Sequence, residues 1–238
     1  MKTLGVIGGL GPLATAQFFE MVVRMTEAGT DAEHIPMIIY NQPATPDRTR
    51  FILGLSPDSP LPAMLAAGQA LTGQGVSLIA IPCVTAFYFY RELTRGIQVP
   101  IIDMISETAA CLQRNGVSRA GLMATDGTVA AGFFRQGLEK CGIAVAQPSP
   151  DAQARTMKII YNNVKANLPV EMADFHFIEQ DLRSQGAEVI ILGCTELSSI
   201  RLANDIGHGY LDAMQVQAGR AVELCGGRLK PEFNQLIT

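Results

Sequence analysis

The feature that most constrains the fold is an internal repeat of short apolar runs, each followed by a helical pattern. One such run opens the first half at residues 5–12, and a similar run opens the second half at residues 121–128. Later in each half, a glycine-initiated apolar run ends at a cysteine, Cys83 in the first half and Cys194 in the second. Strands that alternate with helices predict parallel sheets with right-handed crossovers. We therefore predict an α/β fold of two pseudo-symmetric parallel-sheet domains, with the active site in the cleft between them.

The expected domains follow this repeat. The two cysteines are 111 residues apart, close to the offset between the two opening strands. We assign residues 1–103 and 211–238 to a first α/β domain that carries Cys83, and residues 104–210 to a second that carries Cys194. The chain is 48% hydrophobic and only 17% charged, which is typical of strands buried on both faces of a parallel sheet.

The individual elements are predicted from apolar periodicity and from glycine and proline stops. Arg48 is expected in a loop after the second strand. Strands are predicted at residues 3–8, 34–40, 76–81, 99–102, 119–124, 144–146 and 189–192. Helices are predicted at about residues 12–28, 61–73, 85–94, 106–115, 127–140, 151–166, 170–185 and 211–225.

Several classes of function are excluded by composition and spacing. The net charge of −4, with no basic stripe, argues against nucleic-acid binding. The longest apolar runs fall far short of the roughly 20 residues that span a bilayer, and the first residues do not form a signal peptide. Five cysteines without a CxxC pair argue against a disulfide framework, and the three histidines lack metal-ligand spacing. We expect a cytoplasmic protein with free thiols, no metal and no membrane association.

Cys83 and Cys194 form the central candidate site. Ligands of open α/β sheets bind beyond the carboxyl ends of strands, where helix N-termini converge and lower the pKa of a thiol. Two quasi-symmetric thiols across a cleft suit inversion at carbon, because one base removes a proton while an acid supplies another from the opposite face. The alternative is that cysteine is simply a small apolar core residue, and we accept this alternative for Cys111, Cys141 and Cys225.

The same motifs carry a resemblance to a known family. They are Gly8-Gly9-Leu10-Gly11-Pro12, Asn41-Gln42-Pro43 with Pro46-Asp47-Arg48-Thr49, Ile81-Pro82-Cys83, Ala124-Thr125-Asp126-Gly127-Thr128 and Leu192-Gly193-Cys194-Thr195-Glu196. In this order they span essentially the whole chain. The chain resembles the PLP-independent aspartate/glutamate racemase family, and specifically its aspartate racemase branch. The resemblance implies a homodimer and two-base cysteine chemistry without a cofactor.

The resemblance also suggests roles for individual residues. Arg48 matches an arginine that holds the side-chain carboxylate of the substrate, and Lys165 aligns with a second cation facing that group. Taken alone, these residues are an ordinary loop arginine and an exposed lysine. Glu196 is either a carboxylate that complements a helix N-terminus or a partner of the substrate ammonium. The remaining candidates bind substrate through hydroxyls or through close backbone approach: Gly9, Leu10, Val84, Thr85, Thr125, Thr128 and Thr195. For the threonines, helix N-capping is an alternative role that is compatible with binding.

Three residues depart from the family pattern. Val84 and Phe87 replace an asparagine and a histidine that usually follow the first cysteine, and Asp103 stands where a histidine is common. The main hypothesis is cofactor-independent racemisation of an acidic amino acid, aspartate first and glutamate second. The departures keep alternatives open: a decarboxylase or isomerase on the same scaffold, a racemase of non-acidic amino acids, or a binding protein that has lost turnover.

Overall fold

The strands form two separate parallel sheets in the computed structural model, which describes residues 1–238. The first sheet has the order β2-β1-β3, and the second has the order β5-β4-β6-β7. An isolated parallel bridge between Ile79 and Ile101 extends the first sheet beyond β3. The strands are β1 (Leu4–Gly8), β2 (Met37–Asn41), β3 (Leu78–Ala80), β4 (Arg119–Met123), β5 (Ala144–Ala146), β6 (Val189–Leu192) and β7 (Tyr210–Asp212). The predicted α/β class with two parallel sheets is confirmed.

Helices connect the strands and cover the sheets. The α-helices are α1 (Pro12–Met25), α2 (Arg48–Ile52), α3 (Leu61–Gly73), α4 (Tyr90–Gly96), α5 (Met104–Arg114), α6 (Asp126–Ala131), α7 (Phe133–Glu139), α8 (Pro150–Met157), α9 (Met172–Ser184), α10 (Thr195–Ala203) and α11 (Ala213–Leu224). Short 3-10 helices span Asp31–Glu33, Val84–Phe89 and Pro231–Phe233, and a π-helix spans Lys158–Val164. No helix is long and apolar enough to cross a membrane.

Several helices differ from the sequence prediction for local reasons. The helix predicted at 127–140 is interrupted at Gly132, whose φ of 66° ends α6 in a left-handed turn. The helix predicted at 151–166 changes at Lys158 into the π-helix, a rare form that is frequent at functional sites. The pattern predicted at 211–225 begins with residues of strand β7, and its helix starts only after Asp212 caps Met214 and Gln215. The prediction that Arg48 lies in a loop is wrong, because Asp47 caps α2 there by accepting a hydrogen bond from the Arg50 amide.

The two halves exchange a helix. Helix α5 follows the first sheet along the chain but packs against α7, whereas α11 follows the second sheet but packs against α1. The two helices also pack against each other, and an Arg220–Glu107 ion pair of 3.0 Å joins them. The largest apolar cluster, of 33 buried residues, contains residues from both sheets, such as Ile7 and Leu122. The division at residues 103/104 and 210/211 stays a proposal, and β7 extends two residues past the second boundary.

Candidate active site

Both candidate cysteines line one small cavity between the two halves. Cys83 follows β3 and precedes the 3-10 helix Val84–Phe89, while Cys194 follows β6 and precedes α10. The two sulfurs therefore come from corresponding strand ends of the two sheets, as the repeat predicts. The cavity is lined by Leu10, Asp47, Arg48, Thr49, Cys83, Val84, Thr85, Thr125, Tyr161, Lys165, Gly193, Cys194, Thr195 and Glu196.

Cys194 is held as a thiol. Its Sγ donates to Glu196 Oε2 at 2.8 Å, and the residue is buried. Burial raises the pKa of the Cys194 thiol well above its usual range, and the negative charge of Glu196 raises it further. The sequence-based expectation that a helix N-terminus lowers the pKa is therefore wrong for Cys194, since desolvation and the neighbouring carboxylate dominate. Cys194 is suited to donating a proton.

Cys83 has a different environment. Its Sγ lies 3.3 Å from Thr85 Oγ1 and makes no contact with a carboxylate of the kind that Cys194 makes. The Arg48 guanidinium is close enough to the Cys83 sulfur for an electrostatic interaction. The two sulfurs thus lie beside groups of opposite charge.

Arg48 is fixed by main-chain carbonyls. Its Nη2 donates to Leu10 O at 2.6 Å, and its Nη1 donates to Pro46 O at 3.0 Å and Thr45 O at 3.3 Å. Although burial lowers the pKa of Arg48, the charges of Cys83 and Asp47 outweigh that effect and the net shift is upward. The buried Nε has no hydrogen-bond partner. An unpaired N–H on a buried cation is a potential donor to an anionic ligand.

Lys165 and Glu196 neutralise each other. Lys165 Nζ lies 2.6 Å from Glu196 Oε1, and the second Glu196 oxygen accepts from Cys194 and from Thr195 Oγ1. Burial alone raises the pKa of Glu196, but the positive charge of Lys165 reverses this and the pKa is lowered. Burial likewise lowers the pKa of Lys165, and the charge of Glu196 reverses that effect, so the pKa is raised. Glu196 also lies in the first turn of α10, as the dipole-complementing interpretation predicts.

Four lining residues were not among the predicted site residues, namely Asp47, Thr49, Tyr161 and Gly193. The Tyr161 hydroxyl lies 3.2 Å and 3.3 Å from the Asp47 carboxylate oxygens, linking the π-helix of one half to the cap of α2 in the other. Burial is the main reason that the pKa of Tyr161 rises to about 12. Thr49 Oγ1 donates to Thr125 Oγ1 at 3.2 Å across the same cleft. Asp47 and Thr49 flank Arg48 in a quoted motif, but no spacing rule in the sequence points to Tyr161.

Two predicted binding residues lie outside the cavity lining. Gly9 has a φ of 84°, and a Cβ placed there would come within 2.4 Å of the Gln42 backbone. Its close approach is therefore to the chain at Gln42 rather than to the cavity. Thr128 lies behind Thr125, with the two hydroxyl oxygens 3.3 Å apart.

Two of the three departures from the family pattern also lie outside the lining. Phe87 stacks on Tyr90 with ring centroids 5.7 Å apart, and Asp103 caps α5 by accepting from the Ile105 and Ser106 amides. Only Val84 lines the cavity. Val84 is thus the one departure that bears directly on substrate contact. No group of three or more His, Cys, Asp or Glu side chains is arranged to hold a metal ion.

Comparison with known proteins gives a consistent result. Residues 7–221 match the family model described as Asp/Glu/Hydantoin racemase. The chain is 26% identical over 204 residues to the broad-specificity amino-acid racemase RacX of Bacillus subtilis (strain 168), covering 83% of this chain and 86% of the relative. The structure of Picrophilus torridus aspartate racemase superimposes with a TM-score of 0.85 and 28% identity, covering 99% of both chains. An aspartate racemase homologue from Pyrococcus horikoshii OT3 gives a TM-score of 0.76 and 25% identity, covering 94% of this chain and 99% of the other.

The family match extends over both sheets and both cysteine-bearing strand ends, so it covers the whole cavity described above. The resemblance read from the sequence motifs is confirmed. The chain therefore belongs to the Asp/Glu/Hydantoin racemase family and is an amino-acid racemase of the class that works without pyridoxal phosphate.

Proposed function

We propose that this protein racemises an acidic amino acid, aspartate first and glutamate second, by a two-base mechanism with Cys83 and Cys194. The observation that carries the proposal is the placement of both thiols in one cavity, each after the corresponding strand of its own half. Stereoinversion needs a base on one face of the α-carbon and an acid on the other. Two thiols at corresponding strand ends in one cleft support that arrangement.

The proton balance of the reaction is simple. A thiolate accepts the α-proton as the Cα–H bond breaks, and the electron pair stays on the α-carbon. The opposite thiol then gives its proton to that carbon, so the product has inverted configuration and the two sulfurs have exchanged protonation states. No imine withdraws the charge, so fixed dipoles and cations in a water-poor cavity must stabilise the carbanion.

The surroundings of Cys194 support a division of roles between the two sulfurs. Cys194 donates to Glu196 and is the resting acid, because both burial and the carboxylate favour its protonated form. Because Cys194 takes the part of the acid, Cys83 takes the part of the base in this scheme. For one enantiomer Cys83 removes the proton, and for the other the roles reverse. After a turnover that moves a proton to Cys83, the Cys194 thiolate faces a carboxylate. This favours the rapid return of both sulfurs to their original protonation states.

The substrate is held by groups that surround the two sulfurs. Arg48 and Lys165 would bind the side-chain carboxylate, and the unpaired Arg48 Nε is a donor for such a group. Thr85, Thr125 and Thr195, with the Val84 backbone amide, line the same cavity and would bind the α-carboxylate. Gly9 and Thr128 support these segments from behind.

A second candidate function is racemisation of a non-acidic amino acid. Lys165 is already neutralised by Glu196, and Arg48 lies beside Asp47, so the cations and carboxylates of the cavity balance. A balanced site does not require a substrate with an extra carboxylate. The name of the Bacillus subtilis relative, which specifies broad substrate range, favours the same candidate.

The deciding experiment is incubation of pure protein with L- and D-aspartate in D₂O. We expect inversion of both enantiomers and loss of the α-proton signal in the NMR spectrum. Cys83→Ser and Cys194→Ser should each lower the rate by about 10²–10⁴-fold, since general acid–base groups contribute that much. Cys141→Ser, at a cysteine away from the cavity, is the matched control. Inert aspartate and glutamate exclude an acidic-amino-acid racemase, and release of CO₂ points to a decarboxylase.

We also propose a homodimer in the cytoplasm. The family resemblance supports the dimer, and the five free cysteines fit a reducing compartment. Analytical ultracentrifugation of the purified protein tests the dimer, and a monomer at micromolar concentration contradicts it.

A further inference from the structure

A second cavity lies next to the cavity that holds Cys83 and Cys194, which we call the reaction cavity. This outer cavity, which is open to solvent, is lined by the start of α1 and the end of the π-helix together with residues of α10. Lys165 and Glu196 are the only residues that line both cavities. The residues of the outer cavity are Gly11, Pro12, Leu13, Ala14, Val164, Lys165, Asn167, Glu196 and Ser199.

The Lys165–Glu196 ion pair is the partition between the cavities. Glu196 is held from three sides, by Lys165, Cys194 and Thr195. Lys165 has only Glu196 as an ionic partner, its side chain is 28% exposed, and its Nζ lies 5.3 Å from the centroid of the Tyr161 ring. Lys165 is more exposed than Glu196, 28% against 9%, and its flexible side chain is the part of the partition that can rotate away. Such a rotation would join the two cavities.

The lining of the outer cavity suits an uncharged, apolar group. Pro12, Leu13, Ala14 and Val164 contribute carbon surface, and Leu13 is 54% exposed although it is a large aliphatic residue. No lysine or arginine other than the paired Lys165 lines this cavity. An exposed aliphatic side chain beside a cavity gains by being covered with apolar surface. A second carboxylate would find no free cation there.

We propose that the outer cavity is the subsite for the side chain of a longer, uncharged amino acid such as methionine or leucine. The inference rests on the proposed function, because it places the α-carbon between Cys83 and Cys194 and directs the side chain toward Lys165. A short acidic side chain ends at the Lys165–Glu196 partition. A longer apolar side chain displaces Lys165 and passes into the outer cavity, where Leu13 and Val164 cover it.

The test compares substrates of different length in variants that narrow the outer cavity. Exchange of the α-proton in D₂O is measured for aspartate, alanine, methionine and leucine. Leu13→Trp enlarges a lining residue at the mouth of the cavity. Gly11→Val adds a side chain beside the partition, where a Cβ meets only Glu196 Oε1 at 3.6 Å and the extended backbone accepts a branched residue. Leu202→Trp, at an exposed leucine of α10 outside both cavities, is the matched control.

We expect the wild-type protein to exchange methionine and leucine as well as aspartate. In both cavity variants the ratio of kcat/KM for methionine to that for alanine should fall at least tenfold, whereas Leu202→Trp should leave it unchanged. Aspartate exchange in the same samples shows that each variant is folded. Exchange of aspartate without any exchange of methionine or leucine overturns the subsite, as does an unchanged ratio in both cavity variants. Absence of exchange with every amino acid instead contradicts the proposed racemisation itself.

Discussion

Removal of the Glu196 charge gives the most informative perturbation of the site. Glu196→Gln keeps the shape of the side chain but leaves Lys165 without a counter-ion. Breaking a fully buried ion pair by removing one partner costs roughly 3–5 kcal/mol. Because the Lys165 side chain is 28% exposed and can reach water, we expect a smaller loss of about 2 kcal/mol in the free energy of unfolding. For a chain of this size that corresponds to a fall in Tm of about 4–8 °C.

The pH dependence follows from the direction of the pKa shift. Although burial raises the pKa of Glu196, Lys165 lowers it more, so the folded-state pKa lies below the unfolded one. The stabilisation is therefore present above the ordinary carboxyl range, about pH 4–5, and is lost as pH falls through the lowered pKa. The difference in Tm between wild type and Glu196→Gln should be largest near pH 7. This difference in Tm should shrink as the pH falls toward the value at which the protein unfolds in acid.

The assay is calorimetry of both proteins across this pH range, with Glu20→Gln as the control. Glu20 pairs with Arg24 at 2.7 Å, but both side chains are more than half exposed, so its loss should change stability by less than about 0.5 kcal/mol. The same Glu196 variant should also move the alkaline limb of the kcat/KM profile to lower pH, because one of the charges that raises the pKa of Cys194 is gone. The reasoning is refuted if Glu196→Gln and Glu20→Gln lower Tm equally, or if the Glu196 effect is the same at every pH.

Three further substitutions test neighbouring features. Tyr161→Phe removes the hydroxyl that contacts Asp47. It should lower kcat/KM for aspartate about threefold to tenfold with little change in Tm. A large loss of stability contradicts a positioning role for Tyr161. Arg48→Lys loses the planar fork and should raise KM for aspartate at least tenfold in initial-rate measurements, and an unchanged KM excludes Arg48 as the anchor. Gly9→Ala forces a Cβ against the Gln42 backbone at a φ of 84°. It should lower the free energy of unfolding by more than about 2 kcal/mol in urea titrations. An unfolding midpoint equal to that of the wild type contradicts the assigned contact.

The sequence predicted the parts of the fold that depend on local periodicity. The helix at 61–73 and the strands at 144–146 and 189–192 match the observed bounds, because continuous apolar runs and clear stops specify them. The strand ends that carry Cys83 and Cys194 were predicted for the same reason. The break at Gly132 and the π-helix at Lys158–Val164 were missed, since a left-handed turn and a wider helix keep an almost unbroken apolar pattern.

The contacts within the site could not be predicted from one sequence. The pairing of Lys165 with Glu196 joins residues 31 positions apart, and the contact of Tyr161 with Asp47 joins residues 114 positions apart. Such contacts depend on how the halves dock. For the same reason a helix N-terminus predicted a lowered pKa for Cys194, whereas the three-dimensional site supplies burial and a carboxylate that raise it. Residue type and strand position located the thiols, but only packing gave their electrostatic surroundings.

The exchange of α5 and α11 has a consequence for how the distance between the sulfurs is controlled. Each sulfur follows a strand of its own sheet, and one of the contacts that join the two halves is this helix pair, whose Arg220–Glu107 bridge lies outside the reaction cavity. The packing of this helix pair is therefore one of the features that set the distance between the two sulfurs. Substitutions along α5 and α11 are accordingly a means of retuning turnover without altering any group that touches the substrate.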